Sequence, residues 1–176
     1  MEKILDVAQF IFDEYYKLSG TKIDEMKLQK LLYFAQRESL AITGEPLFKD
    51  NLEGWKYGPV SRKVRSVFVP DEGIHAKTHD VSIEAAYILK NVIYGYGEYA
   101  SWKLSQLSHQ EISWQKSRAG LSPEENGDRI IALEDIRKDA EKIRPYDYNY
   151  DMYYDEFNDI DIKKFKQWSA EIIDNA

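Results

Sequence analysis

Residues Asp24–Thr43 read DEMKLQKLLYFAQRESLAIT, and this stretch decides the fold class. Leu28, Leu31, Leu32, Ala35 and Ile42 fall at the spacing that lines one face of an α-helix. Thr21 and Asp24 are both candidates to cap its start, because a short oxygen-bearing side chain accepts a bond from the unpaired amides of a first turn. Gly44 and Pro46 end it.

Working outward, the same period recurs almost everywhere. Toward the N-terminus, Ile4, Val7, Ala8, Ile11, Tyr15 and Leu18 predict a first helix stopped by Gly20. Residues 45–58 lack helical period, and Leu47-Phe48 with Leu52 predict a short extended pair around Lys49-Asp50-Asn51. Pro59 suits the first position of a third helix over 59–68, where its missing N–H costs nothing. Residues 70–81 read as a polar loop. Ser82 caps a fourth helix through Tyr94, which Gly95 and Gly97 break. Ser101 caps a short helix toward His109, a further one runs over Glu111–Arg118, and Ser122-Pro123-Glu124-Glu125 resembles another helix start. Leu133, Ile136, Ala140 and Ile143 line a helix over 133–144 that Pro145 closes. The expected class is mostly α: a single compact multi-helix domain with at most a short β pair near 47–55. The expected division is a domain over 1–144 and an acidic, Tyr-rich extension over 145–176. The extension ends in an amphipathic helix carrying Ile162, Phe165, Trp168 and Ile172.

Composition narrows the function. A chain of 176 residues suits one domain, which buries roughly 70% of its unfolded surface without covalent staples. It has no cysteine, which excludes disulfides, zinc-thiolate sites and a thiol nucleophile and suits a reducing compartment. No apolar run approaches the ~20 residues of a membrane span, and the N-terminus lacks a signal-peptide pattern, so no membrane association and a cytoplasmic location are expected. The net charge of −7 disfavours direct nucleic-acid binding. It is unevenly spread: residues 145–176 hold 8 acidic and 3 basic side chains, net −5, which leaves −2 for residues 1–144.

Catalytic chemistry is hard to find. His75 and His79 are four residues apart but sit in the polar loop with no accompanying motif, so they read as exposed loop residues and no metal or cofactor is expected. Gly95-Tyr96-Gly97 lacks the spacing of a phosphate loop, and no nucleophile elbow occurs. His109 reads as a helix-end residue whose ring packs on Trp114 and bonds a backbone carbonyl. No catalytic residue is assigned.

Aromatic residues carry more information. Trp55-Lys56-Tyr57-Gly58-Pro59-Val60 sets two large rings before a Gly-Pro step, with Arg62, Lys63 and Arg65 following. Trp55 is expected in the core, and Tyr57 stays open between core and surface. Lys56, Arg62, Lys63 and Arg65 either face an acidic or nucleotide-like partner surface or are simply solvated. In the extension, Tyr146, Tyr148, Tyr150, Tyr153, Tyr154 and Phe157 alternate with Asp147, Asp151, Asp155 and Glu156. Two readings stand side by side: a mimic of a nucleic-acid strand that fills a basic groove in a partner, or a linker and helix completing the chain's own core.

Three ordered signatures resemble one family. They are Lys27-Leu-Gln-Lys-Leu-Leu-Tyr-Phe-Ala-Gln36; Gly44-Glu-Pro-Leu-Phe48 with Glu53-Gly-Trp-Lys-Tyr-Gly-Pro-Val60; and Leu104-Ser-Gln-Leu-Ser-His109 with Ile112-Ser-Trp-Gln-Lys-Ser-Arg118. The chain is identified as a member of the Panacea domain family, also called SocA-like antitoxins, over residues 27–118. Leu31, Trp55, Gly58, Pro59, Leu107, His109 and Trp114 match as structural motif positions. Gly54 stands where a small residue such as Ala is more usual. The resemblance implies a mostly helical, non-enzymatic antitoxin that neutralises a cognate protein toxin encoded beside it by direct binding. One branch instead acts as an adaptor that hands its toxin to an AAA+ protease, and many members are carried by phages or prophages. An additional DNA-binding domain, present in some members, is not expected ahead of the first motif. An enzyme that reverses the toxin's modification is the least expected reading. Lys56, Tyr57, Arg62, Lys63, Arg65, Tyr148, Tyr150, Tyr153, Tyr154, Phe157 and Trp168 are the expected partner-binding residues.

Overall fold

A computed structural model describes residues 1–76 and 80–157 of the chain. His79 and the expected final helix, with Trp168, lie outside the described residues. Among these residues the chain is mostly α. The helices are α1 (Ile4–Ser19), α2 (Glu25–Thr43), α3 (Arg62–Val67), α4 (Ile83–Tyr96), α5 (Ser101–His109), α6 (Ile112–Ser117) and α7 (Leu133–Ala140). Two short antiparallel pairs join them: β1 (Glu53–Trp55) with β2 (Gly58–Val60), and β3 (Tyr146–Asp147) with β4 (Met152–Tyr153).

Helix α2 is the axis of the fold, packed against α1, α4, α5, α7 and β2. Of its 19 residues 13 are buried, so it is enclosed on nearly every side rather than along one stripe. Leu28, Leu31, Leu32 and Ala35 are fully buried, as their spacing predicts. Asp24 is the N-cap and accepts from the Lys27 amide at 2.9 Å, and Gly44 closes the helix at φ 75°. The core is completed by Ile4, Val7, Ile11 and Phe12 of α1, Ile88, Leu89 and Val92 of α4, Leu104 of α5 and Ile136 of α7.

Polar residues of α2 are buried too, and its two glutamines each hold a neighbouring segment by its backbone. Gln29 donates to the Ser61 carbonyl at 3.2 Å and accepts from the Ser61 amide at 2.8 Å. Gln36 donates to the Phe48 carbonyl at 2.9 Å and accepts from the Leu47 and Phe48 amides. Gln9 of α1 does the same for the Ile74 and His75 amides, both at 2.9 Å. A buried amide side chain satisfies a donor and an acceptor at once, so loops without periodic structure still reach the core with their backbone groups paired.

Several local expectations change. Leu47-Phe48 does not pair with Leu52; it forms an isolated parallel bridge to Glu2. The hairpin lies later, at 53–60, and Pro59 belongs to its second strand rather than to a helix. Pro59 stands opposite Gly54, whose amide bonds the Arg129 carbonyl at 2.9 Å on the other side. The 54–59 pair exchanges no bond, so the missing proline N–H costs no ladder contact. The third helix starts at Arg62 with Ser61 as its cap. Ser101 is not a cap; Ala100 is, and the Ser101 hydroxyl donates to Asp24 at 2.6 Å. Gly95 does not break α4, which runs to Tyr96; a Cβ there would lie 2.7 Å from the Tyr148 ring, so the glycine is the seat of that ring. Residues 122–125 form a turn rather than a helix, and the helix after Leu133 ends at Ala140.

Candidate functional site

The 53–60 hairpin is held by its backbone. Gly54 O accepts from Arg118 Nη1 at 3.0 Å and Trp55 O from Trp114 Nε1 at 2.9 Å. The His109 imidazole reaches the Lys56 carbonyl. Tyr57 O accepts from Ser105 Oγ at 2.7 Å, and Pro59 O from Lys30 Nζ at 3.1 Å. Five of the six carbonyls from Gly54 to Pro59 thus end on side chains of α2, α5 and α6 and the residue after it. Its second strand is buried, and the side chains left toward the surface are those of Trp55, Lys56 and Tyr57.

Two residues explain why the peg needs these side chains. Gly58 sits at φ 110°, and a Cβ there would lie 2.5 Å from both Lys30 Cε and Ser108 Oγ. His109 stacks on Trp114 at 3.9 Å between ring centroids and 10° between planes, which orients the indole toward Trp55. Burial, with the charges of Lys30 and Arg118, holds the His109 imidazole below its ordinary pKa, so it is neutral at pH 7. Arg118 spends its guanidinium on the carbonyls of Gly54, Ser122, Glu125 and Asn126, which folds the 119–129 loop against the hairpin. Gly54 is close-packed as well: a Cβ there would meet Ser117 Oγ at 1.9 Å.

What the hairpin presents differs from expectation at Trp55. That ring is half-buried rather than in the core. Its indole donates to Glu53 at 2.8 Å, and Arg62 and Arg65 lie 5.5 and 5.1 Å from its centroid. Tyr57 is 57% exposed at the tip, so it belongs to the surface. Together with Glu25, Met26, Gln29, Lys30, Val60, Arg65 and Asn126, these two rings line a groove of about 190 Å³. The four expected bases do not form a bare cationic patch. Each meets a carboxylate of its own chain: Lys56–Glu124 at 2.6 Å, Arg62–Glu53 at 2.9 Å, Lys63–Asp50 at 2.8 Å and Arg65–Glu25 at 2.9 Å. Leu31 is fully buried, and Leu107 packs against the core from its edge.

The tail residues lie at another place. Residues 146–157 form a strap across α4. Tyr87 donates to Asp147, which is fully buried, and Tyr154 donates to Tyr87 at 2.7 Å. Asn91 bonds the Tyr146 carbonyl and the Tyr148 amide. Tyr146 meets Tyr148 and Tyr153 edge to face, at 73° and 76°. Asp151 is bonded by Tyr146, Asp155 by Arg144 at 2.8 Å, and Glu156 accepts from the Tyr153 amide. The acidic side chains at 147, 151, 155 and 156 each meet a donor of this chain, and the Tyr146 ring packs edge to face on its two neighbours, so the described part of the tail is bonded to the chain itself. Tyr150 is half-buried, and Phe157 ends the closing 3-10 turn. His75 lies at φ 51° with Glu72 3.3 Å away.

Sequence reading missed Lys30, Gln29 and Met26 as groove residues. It also missed Trp102, 63% exposed on α5, whose neighbour Ser101 ties that helix to Asp24.

The pegged hairpin, its Gly-Pro step and the helices that hold it fall in or beside the part of the chain that matches known proteins. The family described as Antitoxin SocA-like, Panacea domain, matches residues 28–115, half of the chain. The chain belongs to this family. Antitoxin SocA of Caulobacter vibrioides is 40% identical over 62 residues, which are 35% of this chain and 32% of that protein. The match thus spans about a third of that relative's length. No solved structure matches. Lys30, Ser105, His109, Trp114 and Arg118, far apart in sequence, meet at one hairpin. Among the described residues no helix is long and apolar enough to cross a membrane, and no cluster of three His, Cys, Asp or Glu could hold a metal ion.

Proposed function

We propose that this Panacea-domain protein is a cytoplasmic antitoxin that neutralises its cognate protein toxin by direct, stoichiometric binding, without chemistry of its own, and that the 53–60 hairpin and the groove beside it form the contact face. One observation carries the reading: a backbone-pegged hairpin presents Tyr57, 57% exposed, and half-buried Trp55 above an amphipathic groove. Rigid aromatic rings displayed at low entropy cost beside a pocket are the usual anchors of protein interfaces. Trp55 flanked by Arg62 and Arg65 adds the residue types enriched there.

The test is co-expression with the product of the adjacent gene in cells with and without the AAA+ protease, followed by titration of the purified pair. Direct binding predicts an abundant but inactive toxin in both strains and rescue that saturates at stoichiometric antitoxin. Tyr57→Ala should weaken the complex by tenfold or more, about 1.4 kcal/mol, at unchanged folding. Loss of toxin only when the protease is present would indicate the adaptor role instead. Rescue by substoichiometric antitoxin would indicate an enzyme.

A further inference from the structure

Lys30 is an odd residue to find inside this domain. It is 1% exposed, and its ammonium has one hydrogen-bond acceptor among the described residues, the Pro59 carbonyl. A protonated amine has three donors to satisfy. Lys30 is one of the residues that line the groove under Trp55 and Tyr57. Charged and titratable groups come close from every side. Asp24 and Glu25 lie at the start of its own helix, Arg65 on α3, Tyr57 on the hairpin, and His109 on α5. The one carboxylate lining the groove, Glu25, is committed to Arg65 at 2.9 Å. With Lys30 protonated the groove therefore holds two cations for one anion, with apolar walls from Met26, Trp55, Tyr57 and Val60.

We infer that the groove receives an acidic side chain of the toxin, seated beside an apolar neighbour, whose carboxylate pairs with Arg65 in place of Glu25 and compensates the charge of Lys30. This rests on the direct-binding reading above. A carboxylate in that position completes the charge balance, and the aliphatic and aromatic walls exclude water from the pair. Burial outweighs the opposing pull of Glu25 and Asp24 and brings the Lys30 ammonium down to about 7. An anion added from outside favours the charged form, so binding takes up a proton at this lysine.

The experiment is calorimetric titration of the full chain with the adjacent-gene toxin, at pH 8, in buffers of low and high ionisation enthalpy. Wild type is expected to take up close to one proton more per complex than Lys30→Met, and its affinity to tighten about tenfold from pH 9 to pH 8. Equal proton uptake by both proteins overturns the inference while leaving direct binding intact. Absence of any complex overturns both. Should Lys30→Met fail to fold, Glu25→Gln decides: it frees Arg65 for the incoming carboxylate and should bind several-fold more tightly. Equal or weaker binding by Glu25→Gln overturns the proposal.

Discussion

At Gly58 a single methyl group would have to displace Lys30 Cε and Ser108 Oγ, each 2.5 Å from where it would stand, on a backbone at φ 110°. Left-handed strain and overpacking then add, so Gly58→Ala should cost about 2–4 kcal/mol in urea unfolding. Gly120→Ala is the control. It shares a positive φ of 80° but has nothing within 4 Å, and should cost roughly 1 kcal/mol. Equal costs at the two sites would mean that Lys30 and Ser108 yield freely and that the peg is soft. Lys30 itself makes stability depend on pH. The unfolded chain keeps the proton to the ordinary lysine value of 10.5, whereas the folded chain releases it at about 7. Between those values the unfolded state binds more protons, so stability rises with pH, by at most about 1.4 kcal/mol per unit for one group. Urea unfolding of wild type at pH 7.5 and pH 9 should show that rise, and Lys30→Met should flatten it.

Helix α6 has six residues and no cap of its own, too short to persist without help. Asp139 of α7 supplies the cap: its carboxylate accepts from the Ile112 amide at 3.0 Å and the Ser113 amide at 2.9 Å. Tyr33 of α2 donates to the same carboxylate at 3.3 Å. Asp139→Ala should cost about 2–4 kcal/mol, because two backbone amides lose their acceptor at once and Tyr33 loses one of its partners. Hydrogen exchange should speed up at Ile112 and Ser113 and then at the hairpin, since α6 carries Trp114 to the Trp55 carbonyl. Protection unchanged at the hairpin would show that α5 alone holds it. How far such links were legible varies by element. The apolar period of α2 and the stops at Gly20 and Gly44 could be read directly, and the cap narrowed to Thr21 or Asp24, because each rests on residues within one or two turns. The hairpin was misplaced for physical reasons. Its Lys56-Tyr57 turn lacks the Asn-Gly signature, Pro59 imitates a helix start, and the segment around Ile130 that pairs with the far edge of β1 at Glu53 is 77 residues away. Trp55 was expected inside on size alone, yet Glu53, Arg62 and Arg65 give its ring polar company at the surface. Lys30 and Gln29 were invisible as site residues because polar side chains on a helix read as a solvated face until their backbone partners are known.

Across the whole molecule, the pegged hairpin and the strap over 146–157 are built on different elements, and that separation makes the binding face testable. The strap covers a groove walled by Ile42, Ile88, Val92 and Tyr96, and fills the hydrogen-bonding capacity of Asn91 with the Tyr146 carbonyl and the Tyr148 amide. The hairpin rests on α2, α5 and α6, and none of its side-chain pegs comes from the strap. Deleting residues 146–176 exposes that apolar groove and leaves Asn91 to water. Stability should fall by a few kcal/mol, which for a chain of this length lowers the melting temperature by about 2–4 °C for each. The hairpin should keep its geometry. If it is the contact face, the truncated protein neutralises the toxin wherever it remains folded, and its affinity at 25 °C stays within about threefold of the full chain, under 1 kcal/mol. A truncation that keeps its helical circular dichroism at that temperature but binds a hundredfold more weakly would instead place the contact on the tail. Calorimetry and thermal melts on one sample separate the two outcomes, because the first reads the interface and the second reads only the support that the strap gives to α4.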